Sequence, residues 1–136
     1  MDISLSHAFL AVDDQDKALA FYRDVLGLEV RSDVAFENMR WLTVGPKSQP
    51  EVEIGLLTPG GPEGTQEDID DALRLLAKGV LPGVIFLTPD VDALFQKVSA
   101  AGAEVTQEPT DQPYGVRDCG FRDPSGNHIR FSQLTS

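Results

Sequence analysis

The feature that most constrains this fold is an internal repeat, because a chain made of two similar units must build each unit in the same way. His7-AFLAVDDQDKALAFYRDVLGLE-Val30 aligns with Gly83-VIFLTPDVDALFQKVSAAGAE-Val105 across a single-residue gap. Both copies read as a short apolar strand, an acidic turn, an amphipathic helix and a Gly-x-Glu-Val exit. In the first, Asp13 or Asp14 caps a helix whose face is Ala18, Phe21, Tyr22, Val25 and Leu26, at the three- and four-residue spacing of one side. Gly27 ends it. In the second, Asp90 is the cap, Val91, Leu94, Phe95 and Val98 are the face, and Gly102 takes the left-handed position past the last turn. Strands are expected over 28–31 and 103–107.

The later part of each copy also matches. Residues 39–45 with 51–57 correspond to 116–122 with 127–133, and each pair predicts a β-hairpin. The second hairpin turns at Asp123-Pro124-Ser125-Gly126-Asn127, residues that pre-set turn dihedrals or tolerate positive φ. Each half is therefore a strand, a helix and three more strands. A module of about 55 residues buries too little surface to be secure alone, so the two are expected to combine. Their bounds are 4–57 and 80–134, within a single domain spanning 1–136. The connector, 58–79, begins as a loop (Pro59-GGPEG-Thr65). It continues as a helix from Gln66 to Lys78, with acids in its first turn and Arg74 and Lys78 near its end, as the helix dipole favours.

Composition matters here for what it excludes. Twenty-two acidic residues against 11 basic give a formal charge of −11. Without a Lys/Arg stripe, the attraction that dominates phosphate-backbone binding is missing, so nucleic acid and anionic membrane are not expected partners. No apolar run approaches the roughly 20 residues of a bilayer span, and the N-terminus carries no export signal. With a single cysteine, Cys119, there is no internal disulfide framework or cysteine-based zinc cluster. A cytoplasmic protein is expected.

There is no P-loop, nucleophile elbow, His-Glu-x-x-His or Cys-x-x-Cys, and Gly60-GPE-Gly64 lacks the strand-glycine-helix context of a dinucleotide site. Two histidines remain. Period-2 alternation sets His7 with Leu5, Phe9 and Ala11 on one face of the first strand. In the fourth strand Val52, Ile54 and Leu56 are apolar, leaving Glu51, Glu53 and Gly55 opposite. If the apolar faces pack on the helices, His7 and Glu53 share the other side of the sheet. A histidine beside a carboxylate there suits metal ligation or acid/base chemistry.

The paired strand-helix-three-strand repeat, with Lys17-ALAFYRDVLGLEV-Arg31 and Phe121-RDPSGNHIRF-Ser132, resembles the vicinal oxygen chelate superfamily, the glyoxalase, bleomycin-resistance and extradiol-dioxygenase group, over nearly the whole chain. The resemblance implies an α+β fold in which two tandem βαβββ modules form an open, U-shaped sheet cup, within a chain or across a homodimer. It also implies a divalent metal held by a His and a Glu from each module. His7 and Glu53 stand at the first module's ligand positions. The second module has Gly83 and Arg130 instead: glycine has no side chain, and guanidinium has no lone pair to give. The expected metal site is therefore partial, His7 and Glu53 alone, with Arg130 as a built-in cation able to pair with Glu53.

Other candidates lie around this pair. Met39, Trp41 and Thr43 fall on the face opposite Leu42 and Val44. His128 lies two residues before Arg130, on the same strand face but next to the turn and so at the rim; Asp118 lies beside Cys119; and Tyr114, in the loop Pro109-TDQPY-Gly115, is placed to cover the mouth of the cup. Cys119 shares its strand face with Phe121, so burial is expected rather than a reactive thiol. His7, Met39, Trp41, Tyr114, Asp118 and His128 are the expected ligand-binding residues; Glu53 and Arg130 are the expected catalytic ones if there is turnover. The resemblance leaves two functions open. One is a binder that sequesters a small molecule in the cup, a cationic aromatic one suiting the charge. The other is a metal-dependent or Arg-assisted lyase, isomerase or dioxygenase-type enzyme.

Overall fold

The computed structural model describes residues 1–134. It divides into two compact units, one up to Arg74 and one from Leu75 onwards, and the repeat is the reason: each unit carries its own four-stranded mixed sheet. In the first unit the elements are β1 (His7–Ala11), α1 (Gln15–Leu19), a π-helical segment (Ala20–Val25), β2 (Glu29–Phe36), β3 (Met39–Gly45) and β4 (Glu53–Leu57). The strand order is β1-β4-β3-β2, with β1 parallel to β4 and the other pairs antiparallel. The connector helix α2 (Gln66–Lys78) follows. The second unit repeats the pattern with β5 (Val84–Leu87), α3 (Val91–Ala100), β6 (Glu104–Asp111), β7 (Val116–Arg122) and β8 (His128–Leu134). Its order is β5-β8-β7-β6, again parallel only between β5 and β8. This is the expected α+β arrangement of two tandem βαβββ modules.

In each module one sheet face packs on the helix and forms the core. Leu10, Leu42, Val44, Ile54 and Leu56 are buried in the first unit, with Ala18, Leu19, Phe21 and Tyr22 of the helix. Cys119, Phe121, Ile129 and Phe131 are buried in the second, with Val91 and Val98. Asp14 caps the first helix, its carboxylate accepting from Lys17 N at 3.0 Å, and Asp90 caps α3 by accepting from Ala93 N at 3.0 Å. A glutamine then pins each helix start to its sheet. Gln15 Nε2 donates to the carbonyls of Arg40 and Leu56, and Gln133 Oε1 accepts from Val91 N.

Three details differ from the sequence reading. The first helix widens into a π-helical turn after Leu19, with Leu26 N bonded to Phe21 O. The turn lets the adjacent rings of Phe21 and Tyr22 both enter the core, edge to face at 5.0 Å. Strand β2 runs on to Phe36, and β6 to Asp111, both beyond the expected ends. These are edge strands, and a register shift between Val30 and Ser32 breaks the alternation that marks a strand. The unit boundary also falls inside α2. Its last turn is held by the second module: Arg122 Nη2 donates to the carbonyls of Ala77 and Leu76, and the His128 ring lies 2.7 Å from Gly79 O. Among the described residues no helix is long and apolar enough to cross a membrane.

Candidate functional site

The sheet face that carries no helix in the first module is built by strand register. His7 pairs with Glu53 across the parallel β1/β4 ladder, and Phe9 pairs with Gly55. Thr43 pairs with Gly55 and with Ser32. The His7 Nε2 to Glu53 Oε2 distance is 3.3 Å, and the buried Thr43 hydroxyl donates to Glu53 Oε1 at 2.7 Å. On its other side His7 Nδ1 lies 2.9 Å from Ser6 Oγ. Both Glu53 oxygens thus have partners, and the carboxylate is fixed.

Beside this polar cluster lies an aromatic surface. The rings of His7 and Phe9 stack at 6.3 Å and 14°, and Trp41 meets them at 6.0 and 5.8 Å. Gly55 makes the arrangement possible, since a Cβ there would run into the Phe9 ring. Phe9 is 56% exposed, and Met39, Val34 and Phe36 are exposed beside Trp41. Apolar rings that a fold leaves in solvent next to fixed polar groups mark a binding surface more than a packing leftover.

The equivalent face of the second module has different chemistry. Gly83 stands where the first module has His7, and a Cβ at that position would overlap the carbonyl oxygen of His128. By register His128 stands where the first module has Glu53, and Arg130, matched to Glu53 in the sequence alignment, stands where the first module has Gly55. Its Nη2 lies 2.9 Å from Asp118 Oδ2 and donates to Gln107 Oε1 at 2.9 Å, while Gln107 Nε2 donates to Asp118 Oδ1 at 2.7 Å. The three side chains close a ring, and Gln112 Nε2 adds a further bond to Asp118 Oδ1 at 3.0 Å. Burial alone would push the Asp118 carboxyl up, but the bonds from Gln112, Arg130 and Gln107 and the Arg130 charge hold it below the usual carboxylate range. The charge of Arg130 is therefore balanced inside its own module. The sequence reading looked to Glu53 for its partner and did not anticipate Gln107, Gln112 or the anchoring role of Asp118.

The remaining candidates separate. Met39 and Trp41 lie on the aromatic face as expected from alternation. Tyr114 is exposed in the turn between β6 and β7. His128 shares the sheet face of Arg130, with its ring against Gly79 O at the end of α2. Cys119 is fully buried, and burial pushes its thiol up to about 11, so it is no thiolate nucleophile at neutral pH. Phe9 and Gly55 were not singled out in the sequence, although Phe9 shares the alternation that places His7.

The donor set does not fit the metal that the resemblance implies. His7 and Glu53 supply two donors, turned toward each other, and Gly83 and Arg130 supply none. Among the described residues no group of three or more His, Cys, Asp and Glu side chains could hold a metal ion.

Known proteins show the same architecture. The solved structure of UcmS2 matches with a TM-score of 0.89 at 42% identity, covering 97% of this chain and 98% of that one. TnmS3, an antibiotic binding protein from Streptomyces sp. CB03234, matches with a TM-score of 0.78 at 30% identity, covering 99% of each chain. YurT of Bacillus subtilis (strain 168) is 32% identical over 90% of this chain and 92% of its own length. The family model for the Glyoxalase/Bleomycin resistance protein/Dioxygenase superfamily matches residues 4–131. With the repeat, the two mixed sheets and a family match over nearly its whole length, this chain belongs to the glyoxalase/bleomycin resistance protein/dioxygenase superfamily.

Proposed function

We propose that this protein binds a small molecule carrying a flat aromatic group, without a full metal site. The observation that carries the reading is the exposed aromatic surface of Phe9, His7 and Trp41 beside the fixed Glu53 carboxylate. Stacking on such rings is worth about 0.5–1.5 kcal/mol beyond the area buried, and the polar cluster orients what stacks. The likeness to TnmS3, described as an antibiotic binding protein, supports the same reading. In this reading the protein works in the cytoplasm as a homodimer, with the apolar residues left exposed in each module available to the partner; a monomer in sedimentation equilibrium would remove the dimer.

Trp41 is the single tryptophan, so its indole N–H gives one unambiguous resonance on the proposed surface. Titration with indane, a rigid aromatic hydrocarbon, should shift that resonance saturably, equally before and after EDTA treatment, and Phe9→Ala should weaken binding about fivefold. An unmoved resonance sinks the proposal. A second reading has a specific observation behind it: Glu53, held by Thr43 and His7, is placed to move a proton in a lyase- or isomerase-type reaction. Turnover that disappears in Glu53→Gln while binding persists would replace the binder by this enzyme.

A further inference from the structure

Glu53 is held in place by neutral side chains, so its charge is left over for something else. Oε1 accepts from the Thr43 hydroxyl at 2.7 Å, and Oε2 lies 3.3 Å from His7 Nε2. A neutral imidazole meets both contacts of His7, donating from Nε2 to Glu53 and accepting at Nδ1 from the Ser6 hydroxyl. Among the described residues no Lys or Arg forms an ion pair with Glu53. Arg31, whose side chain borders Gly45, is turned to Glu29 and to the carbonyls of Pro46 and Gln49. Arg40 is held by Asp16 and Asp33. Where Arg130 cancels the charge of Asp118, nothing of the kind cancels that of Glu53. A carboxylate offers about four lone-pair sites, two are used here, and the side chain is 27% exposed.

The rings beside Glu53 favour the same sign of charge. His7 lies opposite Glu53 and Phe9 opposite Gly55 across β1/β4, and the rings of Phe9, His7 and Trp41 meet over the first module's sheet. The π face of an aromatic ring attracts a cation placed within about 6 Å, Trp most strongly. An anion would be repelled by Glu53. A neutral donor would bond to the carboxylate without gaining from the rings, and a quaternary ammonium would gain from the rings without an N–H to give. A protonated amine gains from both, and its bond to an ionised acceptor is the stronger kind. We propose that Glu53 is a specificity-determining residue that receives the protonated amine of an arylalkylamine ligand, whose aromatic body stacks on Phe9 and Trp41. This deepens, and rests on, the small-molecule reading above, and every residue it uses belongs to the first unit.

The test compares molecules with one aromatic body: indane, 2-indanol, 2-aminoindane and indane-1-carboxylate, titrated at pH 7 on the full chain and read from the Trp41 indole resonance. The amine, protonated at that pH, should bind about tenfold tighter than indane, a modest gain because Glu53 is part-exposed. The alcohol should stay within about twofold of indane, and the carboxylate should bind weakest. In Glu53→Gln, which keeps the shape and loses the charge, the ratio of indane to amine dissociation constants should fall to near one while indane still binds. Glu63→Gln removes the same charge from an exposed loop position of the first unit and should leave the ratio near its wild-type value. Should Glu53→Gln fail to fold, the N,N,N-trimethyl derivative of the amine, which keeps the charge and loses the N–H donors, should bind the wild-type chain less tightly than the amine. A wild-type ratio near one, an alcohol or trimethyl derivative that matches the amine, a ratio that survives in Glu53→Gln, or one that falls equally in Glu63→Gln overturns the proposal. Absence of binding by all of these molecules removes the small-molecule reading itself.

Discussion

Asp118 shows how much of the second module's chemistry depends on a single carboxylate. It is buried, yet three contacts from Arg130, Gln107 and Gln112 compensate its desolvation. The folded state holds its carboxyl below the unfolded value of about 3.9, so the stabilisation is fully present above that value. It is lost as pH falls through the lower folded one. Asp118→Asn should therefore cost about 2 kcal/mol at pH 7, because the ion pair goes and Arg130 keeps only its glutamine partner. The penalty should shrink as pH falls below about 4, where the wild-type carboxylate also loses its charge. Urea midpoints of both proteins at pH 7, 5 and 3 measure this, and the exposed acids that share an acid-side loss, such as Asp33 and Asp92 beside their arginines, cancel in the difference. Parallel midpoint curves for the two proteins would show that the ring does not stabilise the fold through charge.

At the scale of elements, Gly83 ties the missing metal ligand to strand packing. The parallel β5/β8 ladder begins at Val84 with Ile129, and just before it the backbone of Gly83 approaches the His128 carbonyl so closely that no side chain fits. Restoring a histidine there should not restore a metal site. Gly83→His is expected to lose about 2 kcal/mol through overpacking and to take up no stoichiometric Zn(II) by calorimetry; a stable variant that binds one zinc per chain contradicts this. The comparison also shows which elements were legible. Strands β3 and β7 and helix α2 were expected at the ends observed, because their apolar alternation, acidic first turn and terminal glycine agree. The ends of β2 and β6 were hidden because their outer stretches are edge strands, where polar residues and even Pro109 are tolerated and register shifts reset the alternation. The π-helical turn was hidden because its residues keep an ordinary amphipathic spacing. In the site, His7, Glu53 and Trp41 were readable from alternation alone. Gln107 was not, since it bonds across a shifted register, and an amide within an edge strand carries no signal of its own.

For the whole molecule, the excess of acid over base survives local pairing. Arg23, Arg31, Arg40, Arg117, Arg122 and Arg130 all sit in ion pairs with Asp or Glu, and most of those pairs are exposed and contribute little each. What an approaching ligand meets at long range is therefore the unbalanced charge of −11, while pairs such as Arg130 with Asp118 neutralise one another locally. The two ranges have different salt signatures. Added salt screens the long-range field, with a Debye length near 10 Å at about 0.1 M, and leaves a close hydrogen bond almost untouched. Between about 20 and 300 mM NaCl the affinity for indane-1-carboxylate should rise on the order of two- to threefold as repulsion is screened, while that for uncharged indane stays constant within error. Weaker carboxylate binding at high salt would mean that a local cation outweighs the field of the whole chain, and would turn the expected preference toward an anionic ligand.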